Sequence, residues 1–428
     1  MKIKLAYGKT GLDLTLPEDA DVTVVEPTFV PAVPDPAAAL RAALQAPIES
    51  APLRDLVSPN QSVAIVFSDI TRPTPNRLIL PAVLDDLCHV PRENIVLCNA
   101  LGTHRANSDA ELRQMLGSEI VDHYRIEQNN AFDLDTQVCL GHSSWGHEVW
   151  INRAYAQADV KIVTGFIEPH FFAGFSGGPK GVMPGMAGQK TVLGNHDAGM
   201  IGNPNATWGI TQGNPIWEEC REAALMTNPT FLLNVALNRD KHITGVFAGK
   251  LEAAHAAGTR FVRETAMVAV EAPFDLVITT NSGYPLDLNL YQAVKGMSAA
   301  AEVVREGGAI LIAAECSDGI PEHGLYGQLL REAHSPRELM DNILAFPEAR
   351  QDQWQAQIQA RIQLRADVYV YSTYLTPEQI ETALMVPCAD LAATVERLRA
   401  KYGRDARIGV LPEGPQTVPY FAKVTQGV

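Results

Sequence analysis

Residues 160–196 read VKIVTGFIEPHFFAGFSGGPKGVMPGMAGQKTVLGNH. The opening run, Val160–Phe166, is short, apolar and rich in β-branched residues, which reads as a buried strand. Glu168 and His170 come just after it. Gly174, Gly177, Gly178, Gly181 and Gly185 then surround Lys180, and His196 follows sixteen residues beyond that lysine. Glycines let a backbone approach a ligand closely and turn its N–H groups toward an anion. A lysine in such a loop can neutralise charge or, if desolvated, act as a nucleophile. A tight surface loop with an exposed lysine is the plainer alternative. The two flanking histidines, one suited to carry a proton and one to ligate a metal, favour a site.

The same pattern recurs upstream. VAIVF, after Gln61 and Ser62, runs into SDITRPTPNRLILPAVLDDL. IVLCNALGTHRANSDAELRQML follows Glu93 and Asn94. Each unit is a short strand, a polar or glycine-rich loop and then a helical period, the signature of βαβ and a parallel sheet. Ligands in such sheets sit outside the carboxyl ends of the strands. Asp69, Thr71 and Arg72 occupy that position in the first loop; Thr103, His104 and Arg105 in the second; Glu168 and His170 in the third. If the three strands are neighbours, these clusters converge on one edge. Around them, MKIKLAYGKTGLDLTL reads as an N-terminal strand, and Asp35-Pro36 opens a helix as cap and first turn. Residues 231–250 read as a pair of strands and Leu251–Thr265 as a helix. A fresh βα series starts with FDLVITT and continues through GGAILIAAEC, DVYVYSTY and RIGVLPEGP. It marks a second α/β domain beginning near Ala272.

The 428 residues suffice for two or three domains with full cores. A net charge of −15 argues against a nucleic-acid partner. Six scattered cysteines, with no C-x-x-C pair, argue against both a disulfide framework and a zinc ribbon. No apolar run approaches the ~18 residues of a membrane span, and the N-terminus lacks a signal-peptide core, so the expected home is the cytoplasm. Lys180 is not in a P-loop, since Pro179 and Gly181 flank it. Neither a G-x-G-x-x-G after a strand nor a G-x-S-x-G elbow is present. His142 and His147 lack a carboxylate or cysteine at zinc-ligand spacing and read as surface residues. His89, His123, His242, His255, His323 and His334 carry no motif and read as solvent-exposed. What remains is a pocket with two acid/base candidates, His104 and His170, and a guanidinium, Arg72, that can hold a carboxylate bidentately. Lys180 and His196 complete it. Histidines on opposite sides of a bound carbon are the minimum equipment for inverting a stereocentre.

SDITRP, LGTH, GFIEPHFFAGFSGGPKGVMPG, the Asn195-His196 pair and YQAVKG together resemble the nickel-pincer nucleotide lactate racemases. The resemblance spans residues 60–300 by motif and both domains by layout. It implies a nickel-pincer nucleotide, a pyridinium mononucleotide binding nickel through two sulfurs and a ring carbon, which the loop lysine can hold as a covalent thioamide. It also implies partner proteins that synthesise this cofactor. Carried over by residue, Lys180 resembles the cofactor lysine and His196 the nickel ligand. His104 and His170 resemble the acid/base pair. Asp69, Thr71, Gly177 and Gly178 fall among the expected cofactor contacts, and Arg72 is the expected carboxylate anchor. Gln292 and Lys295 of YQAVKG, with Tyr291 and Trp354, resemble residues that close on substrate.

The expected architecture is α/β in two domains, each a mostly parallel sheet flanked by helices, with the active site in the cleft between them. Residues 1–268 would form the cofactor-binding domain, joined by the C-terminal segment 396–428 (by resemblance, GPQTVPYF crosses back to it). Residues 272–392 would close over substrate. The expected activity is racemisation of lactate or a short aliphatic 2-hydroxy acid, since Phe171, Phe172, Tyr291 and Trp354 would favour a small apolar substituent. Rival readings are an epimerase of malate or a sugar acid, a non-catalytic cofactor binder, and a metal-independent phosphate-binding protein.

Overall fold

Parallel pairing of buried strands sets the frame. In a computed structural model describing residues 1–322 and 324–421, two six-stranded sheets each anchor a compact unit. One unit comprises 29–196 and 203–264; the other comprises 1–28, 197–202 and the chain from Thr265 onward.

The first unit's sheet contains β1 (Val63–Ser68), β2 (Ile95–Ala100), β3 (Arg125–Gln128), β4 (Val160–Phe166), β5 (Phe231–Leu237) and β6 (Ile243–Gly249), in spatial order β6-β5-β4-β1-β2-β3. All pairings are parallel except the β5–β6 hairpin. Every residue of β4 is buried, as expected of a strand covered on both faces. Ile65, Phe67, Ile162 and Leu233 pack with Ile79, Leu80 and Val83 of the helix Asn76–Asp86 in one core. Asp35 caps the helix Pro36–Gln45, its Oδ1 accepting from the Ala38 N–H at 2.9 Å. The chain runs outward from β1 through β2 to β3, then returns to place β4 on the other side of β1. That reversal is a topological switch point, where the strand ends open a crevice.

In the other unit, β7 (Phe274–Thr280), β8 (Val304–Ala313), β9 (Asp367–Tyr371), β10 (Val386–Pro387) and β11 (Arg407–Leu411) form an all-parallel sheet in the order β10-β9-β8-β7-β11. The strand Asp21–Val24 completes it by pairing with β11.

The division departs from the sequence expectation at both chain ends. Residues 1–28 belong with the C-terminal half, because Asp21–Val24 finds its partner in Arg407–Val410. The described part of 396–428 stays in that same unit: β11 lies beside β7, and Val418–Phe421 pairs with Met267–Val270. Residues 422–428 lie outside the described residues. The N-terminal stretch is a hairpin, Lys2–Leu5 against Leu12–Thr15, turned through Gly8 and Gly11 at positive φ. Among the described residues no helix is long and apolar enough to cross a membrane.

Candidate active site

The carboxyl ends of β1, β2 and β4 carry the three polar clusters, and the sheet order makes these strands neighbours. After β1, Asp69 is 3% exposed. The Thr71 hydroxyl donates to its Oδ1 at 2.8 Å, and its Oδ2 lies 2.8 Å from His104 Nδ1. Burial pushes the Asp69 carboxyl upward, but the charge and hydrogen bond of His104, with help from Arg72 and Thr71, outweigh it and hold Asp69 below the usual range. An ionised Asp69 accepts the Nδ1 proton and leaves the His104 Nε2 lone pair open to receive one. The His104 side chain is 41% exposed, so that nitrogen is reachable. Asp69 and Thr71 thus form one hydrogen-bonded chain with His104.

After β4 the chain doubles back. Pro169-His170 pairs antiparallel with Gly174-Phe175, and Gly174 sits at φ +74°, where a Cβ would fall 2.2 Å from the Ile210 carbonyl oxygen. Only glycine fits that approach. The tight turn aims the N–H groups of Phe172 and Ala173 at His170 Nδ1, at 3.5 and 3.3 Å. Nδ1 is therefore an acceptor. The two rings are thus held in opposite ways, His104 Nδ1 against a carboxylate and His170 Nδ1 against backbone N–H groups.

Phe172, 4% exposed, joins the second half of the site. Its ring lies 4.5 Å from that of His170 and 5.0 Å from that of His196, edge-on to both. Lys180 Nζ stands 5.2 Å from its centre. Burial lowers the Lys180 pKa, with the nearby Arg72 charge adding to the effect and Cys220 opposing it. Burial and the Lys180 charge push His196 down to about 3, so its imidazole is neutral at neutral pH. The Cys220 thiol is pushed up to about 12 by burial and stays protonated.

The glycine-rich loop is built for packing more than for anion capture. Gly178 N–H donates to Asn234 Oδ1 at 2.7 Å, and the Lys180 N–H returns to the Gly177 carbonyl at 3.1 Å. At Gly177 a Cβ would meet Asn234 Oδ1 at 2.6 Å; at Gly178 it would meet the His255 ring at 2.5 Å. These two glycines form the close-packed heel of the lysine loop. His255 Nε2 donates to the Ser176 carbonyl at 2.9 Å.

His255 was expected in solvent but is 2% exposed. Asn234 and His255 were missed as supports because a polar residue in a strand and a histidine in an amphipathic helix carry no motif. Burial pushes His255 down to about 4. As pH falls from about 6.5 toward 4, the unfolded chain takes up a proton that the folded chain refuses. Its contribution of about 3 kcal/mol, fully present above that window, is then lost. Denaturant midpoints of the cofactor-free chain at pH 7 and 4.5 should therefore fall less in His255→Gln than in wild type. An equal fall in both would exclude this role.

His147 was also expected at the surface; its Nδ1 instead meets the buried Glu219 at 2.9 Å. In the other unit, Tyr291, Gln292 and Lys295 lie on the helix Leu290–Ala301 and Trp354 on Gln353–Gln363. Trp354 Nε1 donates to the Tyr291 hydroxyl at 3.0 Å, so the structure brings these two aromatic residues together. Gln292 and Lys295 are half-buried on the same helix.

Among the described residues no cluster of three or more histidine, cysteine or acidic side chains could hold a metal. The donor set beside Phe172 is one neutral imidazole and one amine of lowered pKa. Such a pair fits a metal that arrives with its other donors already attached, within an organic ligand the amine can bind.

A doubly wound sheet with histidines and a buried lysine on the loops after its strands is the layout of an α/β enzyme. Residues 7–209 match the lactate racemase N-terminal domain and 269–418 the lactate racemase C-terminal domain. The chain is 35% identical to a lactate racemase of Thermoanaerobacterium thermosaccharolyticum, over 97% of this chain and 98% of that one. It is 39% identical to a lactate racemase of Lactiplantibacillus plantarum, over 87% and 88%. The lactate racemase apoprotein structure from T. thermosaccharolyticum superposes with a TM-score of 0.91 at 34% identity, covering 98% of this chain and all of that one. A crystal structure of a Thermotoga maritima protein shares the fold at 16% identity, with a TM-score of 0.69 over 90% and 98%. The chain belongs to the lactate racemase family.

Proposed function

We propose that this isomerase interconverts the enantiomers of lactate, using a nickel-pincer nucleotide attached at Lys180 and ligated through nickel by His196. The observation that carries the reading is the pair of oppositely held histidines beside a neutral imidazole and a desolvated amine. When bound, the cofactor supplies a place where hydride can be held and returned. Everything else falls to the chain. Arg72 anchors the substrate carboxylate. His104 Nε2 takes the hydroxyl proton as the C2 hydrogen leaves with its electron pair, giving a planar 2-oxo acid. As hydride returns to the other face, His170 hands a proton to the carbonyl oxygen; solvent then replaces that proton and takes up the one held by His104, so both rings regain their starting states. In the opposite direction the two histidines exchange roles. Proton and hydride are both restored, so no net oxidation occurs. Gln292, Lys295, Tyr291 and Trp354 are the proposed substrate contacts of the other unit, and proteins that make the cofactor are the implied partners.

The test follows C2-deuterated D-lactate through the holoenzyme. The L-lactate formed should keep its deuterium, because hydride does not exchange with water. Washout of the label would exclude hydride transfer. Turnover of malate or gluconate in preference to lactate would move the substrate to a larger 2-hydroxy acid, and cofactor loading without turnover would make the chain a binder.

A further inference from the structure

One buried carboxylate in the first unit has no part in the acid–base chemistry. Glu219, on the helix Pro215–Met226, is 1% exposed. Its Oε1 accepts from the Ser143 hydroxyl at 2.6 Å and from His147 Nδ1 at 2.9 Å. Its Oε2 accepts from Asn195 Nδ2 at 2.9 Å. Asn195 is itself fully buried and donates also to the Ile216 carbonyl at 3.1 Å. It is the last residue of the helix Gln189–Asn195, and His196 follows it directly. Glu219 thus ties the loop between two strands, Gln137–His142 and Glu148–Asn152, and the helix end that presents His196 to its own helix.

A carboxylate taken out of water costs several kcal/mol unless its hydrogen bonds are met, and a packed apolar side chain serves a purely structural junction as well or better. What an apolar residue cannot do is hold the Asn195 amide in a fixed rotation. Where an imidazole binds metal, groups that orient it typically govern affinity by 10–100-fold. We infer that Glu219 is a positioning residue, which through Asn195 sets the aim of the His196 ring at the metal. The inference rests on the proposed cofactor assignment.

The experiment measures nickel release from holoenzyme into excess chelator for wild type, Glu219→Gln, Asn195→Ala and the double variant. Intact mass and the melting temperature of the cofactor-free chains are read alongside. Each single variant should release nickel about 10–100-fold faster, with the adduct at Lys180 unchanged. The double variant should be no faster than the more affected single one, since both break one link. Release at the wild-type rate in Glu219→Gln overturns the inference. So does acceleration that simply tracks lost thermal stability, with Asn195→Ala unaffected. A wild-type chain that takes up no nickel overturns the cofactor assignment and this inference together, which separates the two failures.

Discussion

Lys180→Ala, produced beside a working cofactor-synthesis system, should carry no covalent adduct and should racemise lactate at the uncatalysed background. The argument starts from the amine. Burial and the Arg72 charge lower its pKa, which raises the neutral, bond-forming fraction at a given pH. Arginine at this position keeps the charge but not that nucleophile, so Lys180→Arg should be equally inactive. His196→Ala should separate the two functions. The adduct mass stays, while about one nickel per chain is lost and activity falls with it. The checks are intact mass, metal analysis and polarimetry on the same preparations. An adduct retained in Lys180→Ala, or nickel retained in His196→Ala, would remove those residues from their assigned places.

The second large effect comes from the histidines. General acid–base catalysis by one positioned group typically contributes 10²–10⁴-fold. His104→Ala and His170→Ala should each lose about that much in kcat, with cofactor loading intact. The equilibrium constant between enantiomers is one, so kcat/KM must fall by the same factor in both directions for either variant. A half-reaction distinguishes them. Each variant retains one base and should still oxidise one enantiomer to the 2-oxo acid, and the two variants should accept opposite enantiomers. Trapping the 2-oxo acid after a single turnover reads this directly. If both variants oxidise the same enantiomer, the histidines do not serve opposite faces.

Much of this site was legible because it rests on local grammar. A short apolar run followed by a polar loop marks a strand end, and that alone placed Asp69, His104 and His170 on one edge of a sheet. Lys180 and His196 stood out by the glycine-rich loop between them. The supports were not legible. Glu219 lies in IWEEC, where neighbouring acidic residues on a helix look like a solvated face; only the fold shows which of them turns inward. His255 shares a helix with alanines and arginines, and its burial depends on a loop some eighty residues away. Phe172 reads as a pocket wall and proves to be the shared contact of His170, His196 and Lys180. Domain boundaries failed for a related reason. Which sheet a lone edge strand joins is a matter of long-range pairing, and LDLTLPEDADVTVV carries no record of a partner near residue 407.

That pairing has a consequence for biosynthesis. Asp21–Val24 leaves the ribosome early, yet its only ladder partner among the described residues, Arg407–Val410, is translated some 380 residues later. At the usual 5–20 residues per second the wait is on the order of twenty to eighty seconds. In that interval the sheet that carries His104 and His170 at its strand ends has all its strands in hand, so this unit can ripen first while Asp21–Val24 stays unclaimed. The strand is only four residues long and opens on an aspartate, a composition that discourages it from zipping onto a neighbouring nascent chain before its own tail arrives.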